Sequence, residues 1–475
     1  MTVLAIDQGT SATKAVVVSA GGEVLSLAEA SIRVVASPDG AVELDPEELW
    51  QSVLAAGREA MSAAGNPTLA AIGLANQGET VMAWDRTTGV PSGPAIVWQD
   101  RRSEVICDRL REHADFLAEH TGLQLDPYFV APKMVWLQEL IGEGLTITTT
   151  DTWMLSRMCG AFATDVATAG RSLLLDLDTA EWSNQACEIF GIDPATLPTV
   201  VGNADKLGDC DLFGPSVPVT GTCVDQQAAL FAEHCREAGE AKCTYGTGAF
   251  MLACTGDRPT RSTNGLVGCP AWRIGPQPTY CLDGQVYTVG AAVTWLIHMG
   301  IISEPADLDR VGDTVDAAGG VTFVPALAGL AAPYWKPQAK AAFTGLTLGT
   351  ERGHLVRAAI EGIAAQVALL AQAAGRDLGT PLTRLRVDGG LTRSRLLLQT
   401  QADLLQAPVE VYPSPHATAL GVAAFADLGA SGVSQVQLAA SEWHPDVVVE
   451  PRIGSDEAAA RLAGWHRVAT ATMDL

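Results

Sequence analysis

The clearest pattern along the chain is a short apolar run, a polar turn containing glycine, and a second apolar run. Residues 3–6 and 15–18 flank such a turn at residues 7–13, and residues 242–251 repeat the arrangement around Gly-Thr-Gly. Apolar, β-branched runs on both sides of a glycine-containing turn predict a β-hairpin. Since the two segments share one pattern, they predict two related halves, each of which supplies one hairpin to a common cleft.

Helical patterns occupy much of the remaining chain. A helix is predicted to start at Pro46 with Asp45 as its N-cap, and apolar residues recur at helical spacing over residues 354–370. Small residues over 417–424 predict a helix suited to close packing against a neighbour. Residues 71–84 are predicted to form a strand, a polar turn and a second strand, and residues 385–390 a strand that ends in two glycines, which gives an α/β protein. The chain beyond about residue 441 is predicted to be a partly exposed appendage.

Composition narrows the class of protein. A chain of 475 residues with 48% hydrophobic residues is expected to form two domains, which we place at residues 1–240 and 241–475. The balance of 54 acidic against 30 basic residues argues against nucleic acid or an anionic membrane surface as a partner. The ten cysteines are scattered and lack metal-binding spacing, which favours reduced thiols and a cytoplasmic protein. The sequence shows no secretory signal and no long apolar run, so we expect no integral membrane segment.

Asp225 is the strongest catalytic candidate on local pattern. It ends the apolar run 219–224, and a helix-like segment begins at Gln226. A carboxylate at the end of a buried strand can accept a proton from a substrate hydroxyl. The alternative is a structural one, in which Asp225 only caps the helix and satisfies free backbone N–H groups.

Other polar turns are candidates for binding. The turn at residues 7–13 carries hydroxyls and exposed backbone amides suited to phosphate, and Asp7 is placed to help bind magnesium. Gln77 and Glu79 stand between two strands, and Trp98 offers either an apolar wall for a polyol or a core side chain. The chain has no G-x-x-x-x-G-K-[ST] loop and no G-x-G-x-x-G after a strand, so any nucleotide phosphates would be held by hairpins.

The ordered motifs resemble those of the FGGY carbohydrate kinases, and of glycerol kinases in particular. They are D-Q-G-T at 7–10, N-Q-G-E-T at 76–80, A-I-V-W-Q at 95–99, D-P-Y-F at 126–129, D-Q-Q-A-A-L-F at 225–231, Y-G-T-G at 245–248, A-P-Y-W at 332–335, V-D-G-G at 387–390 and T-A-L-G at 418–421. The segment 341–361 resembles the second signature of the same family.

This resemblance implies a two-domain actin–hexokinase–Hsp70-like (ribonuclease H-like) ATPase fold with an interdomain cleft. It implies Mg²⁺-dependent transfer of the γ-phosphoryl group of ATP to a hydroxyl of a small polyol or sugar, with Asp225 as general base and Asp7 and Asp225 at the metal. The implied substrate residues are Gln77, Gly78, Glu79, Trp98, Tyr128, Asp225 and Gln226. The implied nucleotide residues are Thr10, Ser11, Lys14, Thr247, Gly290, Gly390 and Ser394. We also expect a homodimer or homotetramer.

One position departs from the family pattern in an important way. Gly78 stands where glycerol kinases carry an arginine that donates hydrogen bonds to substrate hydroxyls. Its absence removes charge-assisted donors, and we expect it to open volume in the site. The sequence therefore predicts a kinase for a polyol or sugar longer than glycerol. Glycerol itself is the alternative, and a non-catalytic binding or regulatory protein of the same fold is a second alternative.

Overall fold

A computed structural model describes residues 2–37, 40–142, 144–432 and 444–473. The strands of the part of the chain before residue 240 are β1 (Val3–Gln8), β2 (Ala12–Val18), β3 (Val24–Ser31), β4 (Val34–Ala36), β5 (Val42–Leu44), β6 (Ala71–Asn76), β7 (Val81–Trp84), β8 (Ala95–Ile96), β9 (Thr146–Thr149), β10 (Ala163–Asp165), β11 (Leu175–Asp176), β12 (Glu181–Trp182), β13 (Thr199–Val201), β14 (Gly208–Cys210) and β15 (Val217–Val224). Those after it are β16 (Ala241–Tyr245), β17 (Ala249–Gly256), β18 (Val267–Ile274), β19 (Gln277–Val286), β20 (Thr322–Val324), β21 (Ala342–Thr344), β22 (Leu385–Asp388), β23 (Val409–Val411) and β24 (Val447–Val449).

Helices cover the sheets. In the described residues they are α1 (Pro46–Ala63), α2 (Glu104–Arg109), α3 (Ala114–Thr121), α4 (Val130–Ile141), α5 (Thr150–Cys159), α6 (Val166–Ala169), α7 (Asn184–Phe190), α8 (Asp225–Ala232), α9 (Gly290–His298), α10 (Asp307–Gly312), α11 (Arg352–Leu378), α12 (Arg395–Leu405), α13 (Ala417–Ser431) and α14 (Ser455–Thr472). Short 3₁₀ turns lie at Arg111–His113, Pro194–Thr196 and Gly390–Arg393. Asp45 caps α1 as predicted, since its side chain accepts the N–H of Glu47 at 2.9 Å.

The first large sheet has the strand order β14-β15-β6-β1-β2-β3. Strands β1 and β2 form the predicted antiparallel hairpin, in which Asp7 lies opposite Lys14. Strands β1, β6 and β15 run parallel, and Gln8, Asn76 and Val224 are neighbours in register. Because parallel strands end at the same edge of a sheet, the segments that follow these three residues are brought together.

The second large sheet repeats this arrangement. Its order is β18-β19-β17-β16-β22-β23-β24, with β16 antiparallel to β17 in the predicted second hairpin and parallel to β22. In the register of β16 and β22, Thr244 lies opposite Asp388. Each half therefore presents one hairpin and the ends of its adjacent parallel strands, and these edges supply the polar residues described below.

Helix α13 packs against the first sheet although it lies late in the chain. It contacts β1, β6, β15 and α8, and the Thr220 hydroxyl donates to the Ala426 carbonyl at 2.7 Å. The approach is possible because the strands carry glycine: a Cβ at Gly221 would lie 2.6 Å from the Ala426 nitrogen. The predicted close packing of this small-residue helix is confirmed, and the 240/241 domain boundary stays a prediction.

Two helices of the second half form much of its core. Helix α11 is the one described helix that is long and apolar enough to cross a membrane, and most of it is buried inside the protein. Helix α14 buries Leu462, Trp465 and Ala469, and the Trp465 indole N–H donates to the Phe323 carbonyl at 2.9 Å. The C-terminal segment is partly exposed, as predicted, but residues 455–472 are not an appendage because their apolar face completes this core. Residues 441–443 and 474–475 of this predicted segment lie outside the described residues.

Candidate active site

Asp225 lies at the edge of the first sheet, directly after Val224. Helix α8 begins at Asp225, one residue earlier than predicted, and Val224 is its N-cap without a side-chain bond. The Asp225 carboxylate accepts the N–H of Gln226 at 2.7 Å. The carboxylate thus does bind one free amide at the helix start, as the structural alternative proposed. That single bond leaves acceptor capacity on the carboxylate for a substrate hydroxyl.

Burial and acidic neighbours determine the electrostatic environment of Asp225. Burial, with added repulsion from Asp7 and Glu79, raises its pKa to about 7, against the lowering effect of Lys242. Burial also raises the pKa of Asp7 to about 6, an effect that Lys14 opposes and Asp388 reinforces. A carboxyl group with a pKa near neutrality can take up a proton during the reaction and lose it afterwards.

Asp7 and Asp225 are the two residues predicted to help bind magnesium. No group of three or more His, Cys, Asp or Glu side chains that could hold a metal occurs among the described residues. Magnesium in phosphoryl-transfer enzymes is commonly bound by one or two carboxylates together with substrate phosphates and water. The carboxylates of Asp7 and Asp225 repel each other, and a bound cation would offset that repulsion.

Aromatic side chains form one wall beside these acids. Trp98 packs edge-to-face against Tyr128 and Phe250, with ring centroids 5.8 and 5.9 Å apart. The Trp98 indole N–H donates to the Thr10 hydroxyl at 2.9 Å, so the predicted substrate wall and the first phosphate hairpin are in direct contact. Trp98 is only partly buried, which favours a wall of the acceptor site over a purely core role. Phe250 belongs to the second half, and sequence reasoning did not identify it as part of this wall.

The turn after β6 places Glu79 in an unusual conformation. Glu79 has a φ of 57°, and its side chain is 4% exposed. Arg171 donates through Nε to Glu79 Oε1 at 2.6 Å. Gln77, the other polar residue of this turn, is buried and accepts the Thr80 hydroxyl at 3.1 Å, while its Nε2 has no partner.

The space beside Gly78 is filled. A Cβ at position 78 would lie 2.8 Å from Val224 Cγ2 and 4.0 Å from Arg171 Cγ. No volume is open at the Cβ position itself, because a branched methyl group occupies that direction, and the expectation that the missing arginine opens volume further into the site stays a prediction. What the site lacks relative to an arginine at this position is the charged donor.

Lysine 242 connects the two halves close to Asp225. Its amino group donates to Gln226 Oε1 at 2.6 Å and to the Thr244 hydroxyl at 2.7 Å. Gln226 follows Asp225 on α8 of the first half, whereas Lys242 and Thr244 belong to β16 of the second. This bond holds the side chain of a predicted substrate residue toward the second half.

The predicted nucleotide residues of the second half line one cavity. The cavity has a volume of about 970 Å³, and its walls include Thr247, Gly290, Gly390 and Ser394. Gly290 begins α9, and a Cβ there would lie 2.6 Å from the Gly246 carbonyl, so the helix start lies directly against the Gly-Thr-Gly turn. Ser394 caps α12 and donates its hydroxyl to Asp309 at 2.6 Å, which adds an acid that the sequence did not single out.

The first-half nucleotide candidates lie in the β1–β2 hairpin. Thr10 contacts Trp98, Lys14 faces Asp7 across the ladder, and Ser11 is exposed at the turn, where its carbonyl accepts the N–H of Ile32. Ser11 therefore makes no described contact with the rest of the candidate site.

Comparison with known proteins identifies the family. Residues 2–232 match the N-terminal domain of the FGGY family of carbohydrate kinases, and residues 241–430 match its C-terminal domain. The chain belongs to the FGGY family of carbohydrate kinases. Glycerol kinase of Thermus brockianus is 41% identical over 98% of this chain and 97% of its own length, and glycerol kinase of Ralstonia pickettii (strain 12J) is 40% identical over 98% and 96%.

Solved structures of FGGY kinases share the fold. Plasmodium falciparum glycerol kinase with ADP superposes with a TM-score of 0.91 at 30% identity, covering 99% of this chain and 98% of that one. Ligand-bound xylulose kinase from Lactobacillus acidophilus gives 0.90 at 20% identity with the same coverage, a likeness in fold alone. The predicted two-domain actin-like ATPase fold is confirmed. This FGGY kinase is a phosphotransferase that uses ATP and has an alcohol group of a sugar or polyol as acceptor.

Proposed function

We propose that this FGGY kinase transfers the γ-phosphoryl group of ATP, with Mg²⁺, to a hydroxyl of a small polyol or sugar, and that Asp225 is the general base. The observation that supports this assignment is the position of Asp225, which directly follows the buried strand β15 at the sheet edge, starts α8 and accepts the N–H of Gln226. Burial and the neighbouring acids Asp7 and Glu79 raise its pKa to about 7, in keeping with this role. In phosphoryl transfer the protein mainly positions the reactants and neutralises charge, while one carboxylate orients the attacking hydroxyl.

The residues around Asp225 divide into two groups by location. Glu79, Gln226, Trp98 and Tyr128 would bind and orient the acceptor, with the aromatic rings covering its carbon skeleton. Thr10, Thr247 and Gly290 would hold the phosphates, and Asp7 with Asp225 would hold the magnesium ion, which neutralises charge on the transferred group when bound. Gly390 and Ser394 would contact the rest of the nucleotide in the large cavity.

Two acceptors compete, and each is favoured by a specific observation. Gly78 in place of arginine favours a polyol or sugar longer than glycerol, which can make its hydrogen bonds elsewhere in the site. Glycerol is favoured by the relatives at about 40% identity, which carry the name glycerol kinase. An assay of ADP release across glycerol, tetritols, pentitols and ketopentoses separates the two, and no release with any of them would refute the proposed function. The cytoplasmic location and the homodimer or homotetramer stay predictions.

A further inference from the structure

Arg171 is a buried arginine that joins the two halves of the protein beside the acceptor residues. It follows α6 and is 2% exposed. Its Nε donates to Glu79 Oε1 at 2.6 Å, and its guanidinium pairs with Asp283 Oδ2 at 2.7 Å. Glu79 belongs to the turn after β6 in the first half, whereas Asp283 lies on β19 in the second. One guanidinium therefore binds two carboxylates from opposite halves.

Arg171 and two lysines act on the carboxylates of this cluster. Glu79 and Asp283 are each buried, and burial raises the pKa of both carboxyls while Arg171 lowers it. Lys133 also lowers the pKa of Glu79, and Lys242 lowers that of Asp283, although the amino groups of both lysines donate to neutral protein oxygens. Arg171 is the cation that bonds both carboxylates directly.

The position of Arg171 also explains how Glu79 is held. The turn around Glu79 has a left-handed backbone at a residue with a side chain, which is a costly conformation that surrounding contacts must maintain. The bond from Arg171 fixes Oε1 of the carboxylate. Beside it, Val224 packs against Gly78, so the turn cannot shift toward α8 without a clash.

We propose that Arg171 is the positioning residue of the acceptor site. Arg171 holds Glu79 so that its second carboxylate oxygen accepts a substrate hydroxyl, and it ties that turn to Asp283. Because the two carboxylates belong to different halves, the guanidinium fixes the acceptor residue Glu79 relative to the second half.

This inference rests on the proposed function, and two isosteric or charge-conserving variants test it. Arg171→Lys keeps one positive charge but loses the planar fork that reaches both carboxylates. We expect the KM for the best polyol to rise by about 10-fold to 100-fold, the loss of one charged hydrogen bond, while kcat changes by less than about 3-fold. A merely structural role would lower the thermal stability of the variant without this separation of KM from kcat.

Asp283→Asn tests the same role from the second half. The amide loses the ion pair that fixes Arg171, so the KM for the best acceptor should rise by about 3-fold to 10-fold while kcat changes by less than about 3-fold. Asp151→Asn is the matched control: Asp151 is also fully buried but lies on α5, where it accepts the Thr164 hydroxyl at 2.7 Å. That control should leave the KM for the acceptor unchanged.

The possible outcomes are distinct. A wild-type enzyme that phosphorylates none of the tested polyols and sugars refutes the proposed function and, with it, this inference. An active wild type whose acceptor KM is unchanged in Arg171→Lys, or unchanged in Asp283→Asn, overturns the role of Arg171 alone. If Arg171→Lys fails to fold, as judged by its ADP affinity and melting temperature, Asp283→Asn decides the question by itself.

Discussion

Replacing Asp225 by asparagine should make this kinase both inactive and more stable at alkaline pH. The two effects have one cause, the cost of holding an ionised carboxylate near Asp7 and Glu79 in a partly buried site. The substitution keeps the shape of the side chain, and the amide oxygen can still accept the N–H of Gln226. It removes the proton acceptor, so turnover should fall by about 10²–10⁴-fold.

The size of the stability gain follows from the pKa. The pKa of Asp225 rises from 3.8 to about 7, a shift of roughly three pH units at about 1.4 kcal/mol each. Because the group is partly solvated, screening reduces the effect, and we expect a gain of about 1–3 kcal/mol. For a chain of this length about 1 kcal/mol corresponds to roughly 1 °C in Tm.

The pH dependence gives the sign of the effect. The carboxyl has a raised pKa in the folded state, so above about pH 7 it is ionised both folded and unfolded, and its destabilising effect is complete. As the pH falls from about 7 toward 3.8, the folded protein takes up the proton first and the effect disappears. The asparagine variant should therefore exceed the wild type in Tm at pH 8 and match it near pH 4.5.

Steady-state ADP release and thermal unfolding without ligands measure both quantities on the same samples. Asp151→Asn is again the control, since burial raises the pKa of Asp151 to about 6 at a position outside the candidate site. It should alter stability in the same direction while activity stays within about 3-fold. Near-normal turnover in Asp225→Asn would refute its role as base. A variant that is inactive and also less stable at pH 8 would show that Asp225 serves the fold.

Three further predictions concern the wild-type pH profile, the Gly78 turn and the nucleotide cavity. The value of kcat/KM should fall about tenfold per pH unit below about pH 7, as Asp225 becomes protonated, and a flat profile from pH 5 to 8 would contradict this. Gly78→Arg alone should lower activity because its Cβ would lie too close to Val224. Gly78→Arg combined with Val224→Ala should shift acceptor preference toward glycerol. An unchanged acceptor profile in the double variant would show that position 78 does not face the acceptor. Gly290→Ala should raise the KM for ATP by about tenfold, since its Cβ would lie 2.6 Å from the Gly246 carbonyl. Gly349→Ala is the control and should not raise this KM, because the nearest atom to its Cβ would be 3.8 Å away. An equal KM for ATP in both alanine variants would contradict the placement of the phosphates at α9.

Much of the fold, and the local structure around the candidate site residues, could be predicted from local sequence. The two hairpins, the cap at Asp45 and the strand that ends before Asp225 are short-range features, because turns and caps depend on residues a few positions apart. The same holds for the nucleotide residues Thr247 and Gly290, which follow from a glycine-containing turn and a helix start. Their convergence on one cavity follows once both lie at the edge of one sheet.

Tertiary structure alone decided what surrounds the acceptor. Arg171 meets Glu79 across 92 positions of sequence and meets Asp283 in the other half, and neither contact leaves a local pattern. Likewise, the sequence shows that Gly78 lacks a side chain but not that Val224 fills the space beside it. The physical reason is that a strand or a turn is specified by its own residues. The charge balance and free volume of a cleft depend instead on side chains from both halves, which come into contact only in the folded protein.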